Sequence, residues 1–264
     1  MDAMNAAGTA TLARRAWCAA LDLLYPRECA ACGDVLAEPD GAQMCRFCLA
    51  NLPRVRGQAC MRCGLPLGPY ADDHEGRYCE GCRMLPFAGF KRTVAVGTYE
   101  GTLRRVIGRF KYDRRPHLVK TLGALVAERA REEYGPAGDA PEGCDEKPDI
   151  VLGVPLHAAR KRARTFDQAE LLAGRAARAI GRPLGRGVIV RVVNTPTLTR
   201  QSREERAETV KGAFMVLRPE AVKDRRVLLV DDVMTTGATC SECARALRKA
   251  GAKETSILVL ARTV

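Results

Sequence analysis

Four Cys-x-x-Cys pairs between Cys29 and Cys82 constrain this chain more than any other feature. They take eight of its twelve cysteines. Two residues between cysteines let both thiolates of one tight turn reach a single ion, and a Gly just after accepts positive φ. The region is an internal repeat. Cys29-Ala-Ala-Cys32-Gly33 returns as Cys60-Met-Arg-Cys63-Gly64, with Leu36 answered by Leu67, and Cys45-Arg-Phe-Cys48 is answered by Cys79-Glu-Gly-Cys82. Residues 27–90 are rich in Gly and Pro and poor in periodic apolar runs, so they bury little core and need a staple. The repeat favours sequential pairing: Cys29, Cys32, Cys45 and Cys48 on one structural Zn²⁺, and Cys60, Cys63, Cys79 and Cys82 on another. Cross-braced pairing also fits the spacing. Four thiolates close a tetrahedral site with no open position for catalysis. An iron–sulfur cluster needs only four cysteines too, but the duplicated Cys-x-x-Cys-Gly knuckle favours zinc.

Twelve cysteines also suit a secreted disulfide scaffold, but Arg14, Arg15 and Asp22 interrupt the only early apolar stretch, so no signal peptide is expected. The reading is a reduced, cytoplasmic protein without membrane insertion. The net charge is +12, yet residues 1–90 carry nine Lys/Arg against ten Asp/Glu, so the basic excess belongs wholly to the rest of the chain. That asymmetry suits contact with a polyanion and equally a solvated basic surface.

The domain reading is an N-terminal helix in residues 1–26 (9–24), a Cys-rich domain in 27–90, and an α/β domain in 91–264. Beyond Lys91, strands are expected at Thr93–Thr98, Ile150–Val154, Val188–Val193, Val227–Val230 and Ser256–Leu260. Helices are expected at 102–110, 117–134, 167–180 and 238–250, with an exposed loop over 135–148. Strands alternating with helices mean a mainly parallel sheet.

The strongest single string runs from Val227 to Thr239. Four apolar residues make a buried strand, and Asp231 and Asp232 emerge at its carboxyl end, where open α/β sheets bind ligands. Thr235, Thr236, Gly237, Ala238 and Thr239 then open a helix, and their N–H groups and hydroxyls suit a phosphate. Acids beside a phosphate nest fit a sugar phosphate, with the carboxylates on ribose hydroxyls. A second basic constellation follows the strand at Ile150: Leu156, His157, Arg160, Lys161, Arg162, Arg164, Phe166 and Gln168. Arginines in a loop at a strand's carboxyl end suit a pyrophosphate, although His157 alone reads as a structural hydrogen bonder. The run Arg104, Arg105, Arg109, Lys111, Arg114, Arg115 and Lys120 adds further cations, with Phe110 and Tyr112 as stacking aromatics. Cys240 and Cys243 share a helix face and read as buried thiols.

The Val227–Thr239 string resembles the phosphoribosyltransferase signature that binds phosphoribosyl pyrophosphate (PRPP), and the whole chain resembles the ComF family. Four blocks carry the likeness: the cysteine pairs; Tyr99-Glu100-Gly101 to Phe110-Lys111-Tyr112; Val154-Pro155-Leu156-His157 through Gln168, with Glu205-Arg206 to Gly212-Ala213-Phe214; and the PRPP loop ending in Leu258-Val259-Leu260-Ala261-Arg262. The resemblance implies a type I phosphoribosyltransferase-like parallel sheet flanked by helices, preceded by a small double zinc-ribbon domain. It implies PRPP or a related sugar phosphate with Mg²⁺, with Asp231 and Asp232 catalytic and Thr235 to Thr239, Leu156, His157, Arg160, Arg164 and Lys111 binding the ligand. A role in DNA uptake, with single-stranded DNA and DNA-uptake proteins as partners, follows from the same likeness. A metabolic phosphoribosyltransferase acting on a nucleobase or amine, and a catalytically silent nucleic-acid scaffold, are the alternatives. Where the family usually reads Arg-Gly-Phe-Asn-Gln, this chain has Arg164-Thr165-Phe166-Asp167-Gln168, which puts a negative charge near the expected anion. Thr195 to Ser202 departs from the family pattern as well.

Overall fold

The computed structural model describes residues 26–36, 42–68, 78–83, 89–113, 115–136, 147–164, 166–194 and 203–264. The helix expected over 9–24, most of the 135–148 loop and the segment Thr195 to Ser202 lie outside them, as does the side chain of Arg164. The chain divides into two compact units, with the boundary between Asn51 and Leu52.

In the first unit, the short helix α1 (Arg46–Ala50) begins at Cys45, whose thiol accepts from the Cys48 N–H at 3.4 Å. The second unit contains α2 (Glu80–Arg83), β1 (Thr93–Thr98), α3 (Gly101–Tyr112), a 3₁₀ turn at Pro116–Leu118 and α4 (Val119–Tyr134). Then come β2 (Ile150–Gly153), α5 (Ala158–Arg164), α6 (Gln168–Ala179), β3 (Ile189–Arg191), α7 (Arg203–Val210), β4 (Phe214–Val216), β5 (Arg226–Met234), α8 (Ala238–Lys249) and β6 (Glu254–Arg262).

Four strands form one sheet in the order β1-β6-β5-β2, every pair parallel, and β3 and β4 form a separate antiparallel ribbon. The strands are apolar almost throughout because helices cover both faces: the edge strand β1 is buried along its whole length and the central β6 everywhere but its ends. Gly153 is needed where α6 crosses β2, since a Cβ there would lie 2.8 Å from the Glu170 backbone nitrogen. The outer edge of β1 is covered by Pro53–Val55, through Val55 N to Val96 O at 3.0 Å and Thr98 N to Pro53 O at 2.8 Å. Among the described residues, no helix is long and apolar enough to cross a membrane.

The expected parallel sheet is present, with three differences in detail. β5 does not stop before the acids but continues through Asp231 and Asp232 to Met234, held by pairing with Val259–Arg262 of β6. Helices α5 and α7 and strand β4 were not expected.

Candidate functional site

Asp231 and Asp232 are adjacent on a strand, so their side chains leave it on opposite faces. Asp232 is buried, and the Lys111 Nζ from the last turn of α3 lies 2.8 Å from its Oδ1. Burial works to lower the Lys111 pKa, but the Asp232 carboxylate outweighs it and the net shift is upward. Asp231 turns its Oδ1 back onto the Asp232 N–H at 2.8 Å. Burial, then the charge of Asp232, push the Asp231 carboxyl up to about 8, against the pull of Lys111. Lys111 is thus placed on the acid pair rather than on the surface with Arg104 and Arg105. Phe110 is fully buried and packs on Phe166 at 5.4 Å between ring centroids, so it is not the exposed stacking ring expected of it.

The turn after β5 reverses the chain at Gly237, whose φ of +81° is left-handed and whose residue caps α8. Its added Cβ would meet only Met234 Sδ at 3.7 Å, so the backbone angle and not space calls for glycine here. The Ala238 N–H donates to Thr236 Oγ1 at 3.4 Å. Thr235 is exposed, and Thr236 and Thr239 are half-buried. This arrangement puts a helix N-terminus and three hydroxyls next to the two acids.

The second loop leaves β2 beside β5, with the Val154 N–H on the Val230 carbonyl at 2.9 Å. Leu156, His157 and Arg160 are half-buried. His157 opens α5: its Nδ1 accepts from the Ala159 N–H at 3.3 Å, and its carbonyl accepts from Lys161 N at 3.0 Å. Asp167, the residue that departs from the family pattern, is the N-cap of α6 and accepts from the Glu170 N–H at 3.2 Å. Its burial raises its pKa, and the capping role is one that Asn fills equally well.

Arg191 stands at the site without a sequence motif to mark it. It is buried on β3, lies over the Phe214 ring at 5.4 Å, and has its pKa lowered by burial and by the like charge of Arg160. A lone arginine inside Val188–Val193 was the available signal. Arg191, Leu156, Lys161, Asp167 and Glu170 help line a cavity of about 230 Å³ beside the β2 loop. Cys240 and Cys243 are buried thiols on α8, as expected.

The cysteines gather into two sets, Cys29/Cys32/Cys45/Cys48 and Cys60/Cys63/Cys79/Cys82, with the sulfurs of each set within 4.8 Å of one another. The pairing is sequential. Within the second set, a hydrogen bond from Cys63 lowers the Cys60 pKa while the same contact raises that of Cys63. Four thiols this close cannot all ionise without a cation among them, and an all-sulfur tetrahedral set suits zinc. Cys60, Cys63 and Cys82 also belong to the apolar core that contains Ala95, Val259, Cys240 and Met234.

Two family models match the chain, a double zinc ribbon domain over residues 20–83 and a phosphoribosyl transferase domain over residues 142–263. With the parallel sheet, the acid pair and the cysteine sets, they define a phosphoribosyltransferase-type protein with an N-terminal zinc ribbon. The chain is 32% identical to competence protein F of Haemophilus influenzae over 205 residues, 77% of this chain and 84% of that one. It is 31% identical to the DNA utilization protein YhgH of Salmonella typhi over 224 residues, 84% of this chain and 91% of the relative. Competence protein ComFC of Streptococcus pneumoniae matches at 23% identity over 239 residues, 86% and 91% of the two chains. The chain belongs to the competence protein F (ComF) family.

Proposed function

We propose that this protein binds PRPP with Mg²⁺ at the end of β5 and acts in DNA uptake or DNA processing in the cytoplasm. One observation carries the reading: an acid pair, one member charge-paired with Lys111, stands directly before a hydroxyl-lined turn at a helix N-terminus. The turn takes the 5-phosphate, Asp231 and Asp232 accept from the ribose hydroxyls, and the loop of Leu156, His157 and Arg160 takes the pyrophosphate, with Arg164 assigned to it from the sequence alone. Bound with PRPP, Mg²⁺ would supply the charge neutralisation that a departing pyrophosphate needs. Each four-cysteine set holds one structural Zn²⁺. The DNA role is supported by the names of the relatives and by the basic excess beyond residue 90.

Calorimetry with Mg²⁺ and PRPP tests the ligand reading. Losing a charged acceptor for a ligand hydroxyl costs about 1.5–3 kcal/mol, so D231N/D232N should bind at least about tenfold more weakly while keeping its zinc. D231N alone, which leaves the Lys111–Asp232 pair intact, gives the comparison should the double variant lose stability. Equal affinity would make the acids structural, and no binding by the unmutated protein would move the function to nucleic-acid contact alone.

A further inference from the structure

Arg262 ends β6 and closes the Leu258–Arg262 block, to which the ligand site gives no role. Its Nε donates to the Cys63 carbonyl at 3.0 Å, and its Nη1 donates to the Met234 carbonyl at 3.2 Å and to the Thr263 carbonyl. Cys63 belongs to the second cysteine set, and Met234 is the last residue of β5, directly before the Thr235–Thr239 turn. One guanidinium therefore joins the backbone of a metal knuckle to the root of the ligand turn. A planar fork fixes the separation of the two carbonyls it binds, which a lysine ammonium cannot do.

The same two places meet through β1. The Thr93 N–H donates to the Met61 carbonyl at 2.7 Å, and Thr93 Oγ1 donates to the Arg62 carbonyl at 2.8 Å and lies 4.0 Å from Met234 Sδ. Gly64, at φ +73°, packs so closely here that a Cβ would sit 3.0 Å from Thr93 Cγ2. The knuckle at Cys60–Gly64 is thus fastened to the first residue of β1, which touches the Met234 side chain, and to the last residue of β6, at the end of the sheet that carries the ligand turn.

We propose that Arg262 is a positioning residue that couples the second cysteine set to the Thr235–Thr239 turn, so that metal at the one and ligand at the other stabilise each other. The naming of that turn as a ligand site rests on the function proposed above; the mechanical coupling does not. Coupling of this kind is reciprocal: metal loss from the second set loosens the turn, and occupancy of the turn slows metal loss.

Hydrogen exchange on the full chain tests the coupling without any ligand. R262M should speed exchange of amides 235–240 by at least about fivefold, and R262K should not rescue it. In the unmutated protein, withdrawing zinc with a chelator should speed the same amides, which keeps the test open should R262M fail to fold. Unchanged exchange at 235–240 in folded, zinc-loaded R262M, or after loss of zinc from the second set, overturns the coupling. Zinc release followed by a colorimetric chelator should slow with Mg²⁺ and PRPP in the unmutated protein but not in R262M. If exchange responds while PRPP neither binds nor slows release, the coupling stands and the ligand reading falls.

Discussion

Lys111 and Asp232 are each costly to bury alone, and at 2.8 Å each makes the other's burial tolerable. K111M would leave the carboxylate without its cation, at a cost of about 3 kcal/mol in a denaturant titration; a loss below about 1 kcal/mol would mean that water or another cation replaces Lys111. Asp231 gives a separate pH signature. Its carboxyl sits at about 8 when folded against an ordinary value of 3.8, so the folded chain holds that proton more tightly than the unfolded one. The stability it contributes is full below about pH 4 and is lost as pH rises through about 8. Denaturation between pH 6 and 8.5, a window in which thiolate sites keep their metal, should show stability falling with pH. D231N should flatten that slope, and an unchanged slope would assign the effect to another group.

The two cysteine sets look alike in the repeat but serve different elements. Cys29 and Cys32 lie in the unit that ends at Asn51, whereas Cys60, Cys63 and Cys82 sit in the core of the sheet-bearing unit. C29S/C32S should therefore lose one zinc and the protection of residues 27–51, with the main thermal transition unmoved. C60S/C63S should lose one zinc and lower the main transition, because it opens the core under β1 and β6. Equal effects from the two variants, read by calorimetry and metal analysis, would make the sets equivalent staples. This difference was not legible in the sequence, since the repeat favours one pairing of the cysteines but says nothing of what each knuckle packs against. Strands β1, β2 and β6 were legible because parallel strands buried on both faces read as unbroken apolar runs. The last third of β5 was not, because Asp231 and Asp232 lower its strand character while pairing to β6 supplies what the side chains do not. Helix α7, Arg-Glu-Glu-Arg-Ala-Glu-Thr-Val, has too few apolar residues to show a period, and β4 is three residues long. At the site, the acids and the Thr-Thr-Gly-Ala-Thr turn were legible as a contiguous string. Arg191 and Arg262 were not, since their roles depend on contacts far along the chain.

Across the whole molecule, the net charge of +12 is read differently once the buried cations are set aside. Lys111 is neutralised by Asp232, and Arg191 is buried on β3. Arg104, Arg105, Lys120, Lys161 and Arg162 remain exposed. These can track a phosphate backbone, but the buried Phe110 cannot stack on a base, whereas Tyr112 on the same helix is 69% exposed. Binding to single-stranded DNA should therefore be governed by charge, with little sequence preference, and weaken steeply with salt. Each phosphate contact contributes about 0.7 to the slope of log affinity against log salt for a single strand, so R104A/R105A should flatten that slope by about 1.4. Y112A should cost about 1–3 kcal/mol of affinity if the ring stacks, and leave the slope alone. F110A would instead remove a core side chain and lower stability by about 3–5 kcal/mol. A fluorescence titration with a labelled oligonucleotide at several salt concentrations separates these terms. Affinity that does not change between low and physiological salt, or a slope unmoved by R104A/R105A, would place DNA contact elsewhere on the chain and leave the exposed arginines of α3 as a solvated surface.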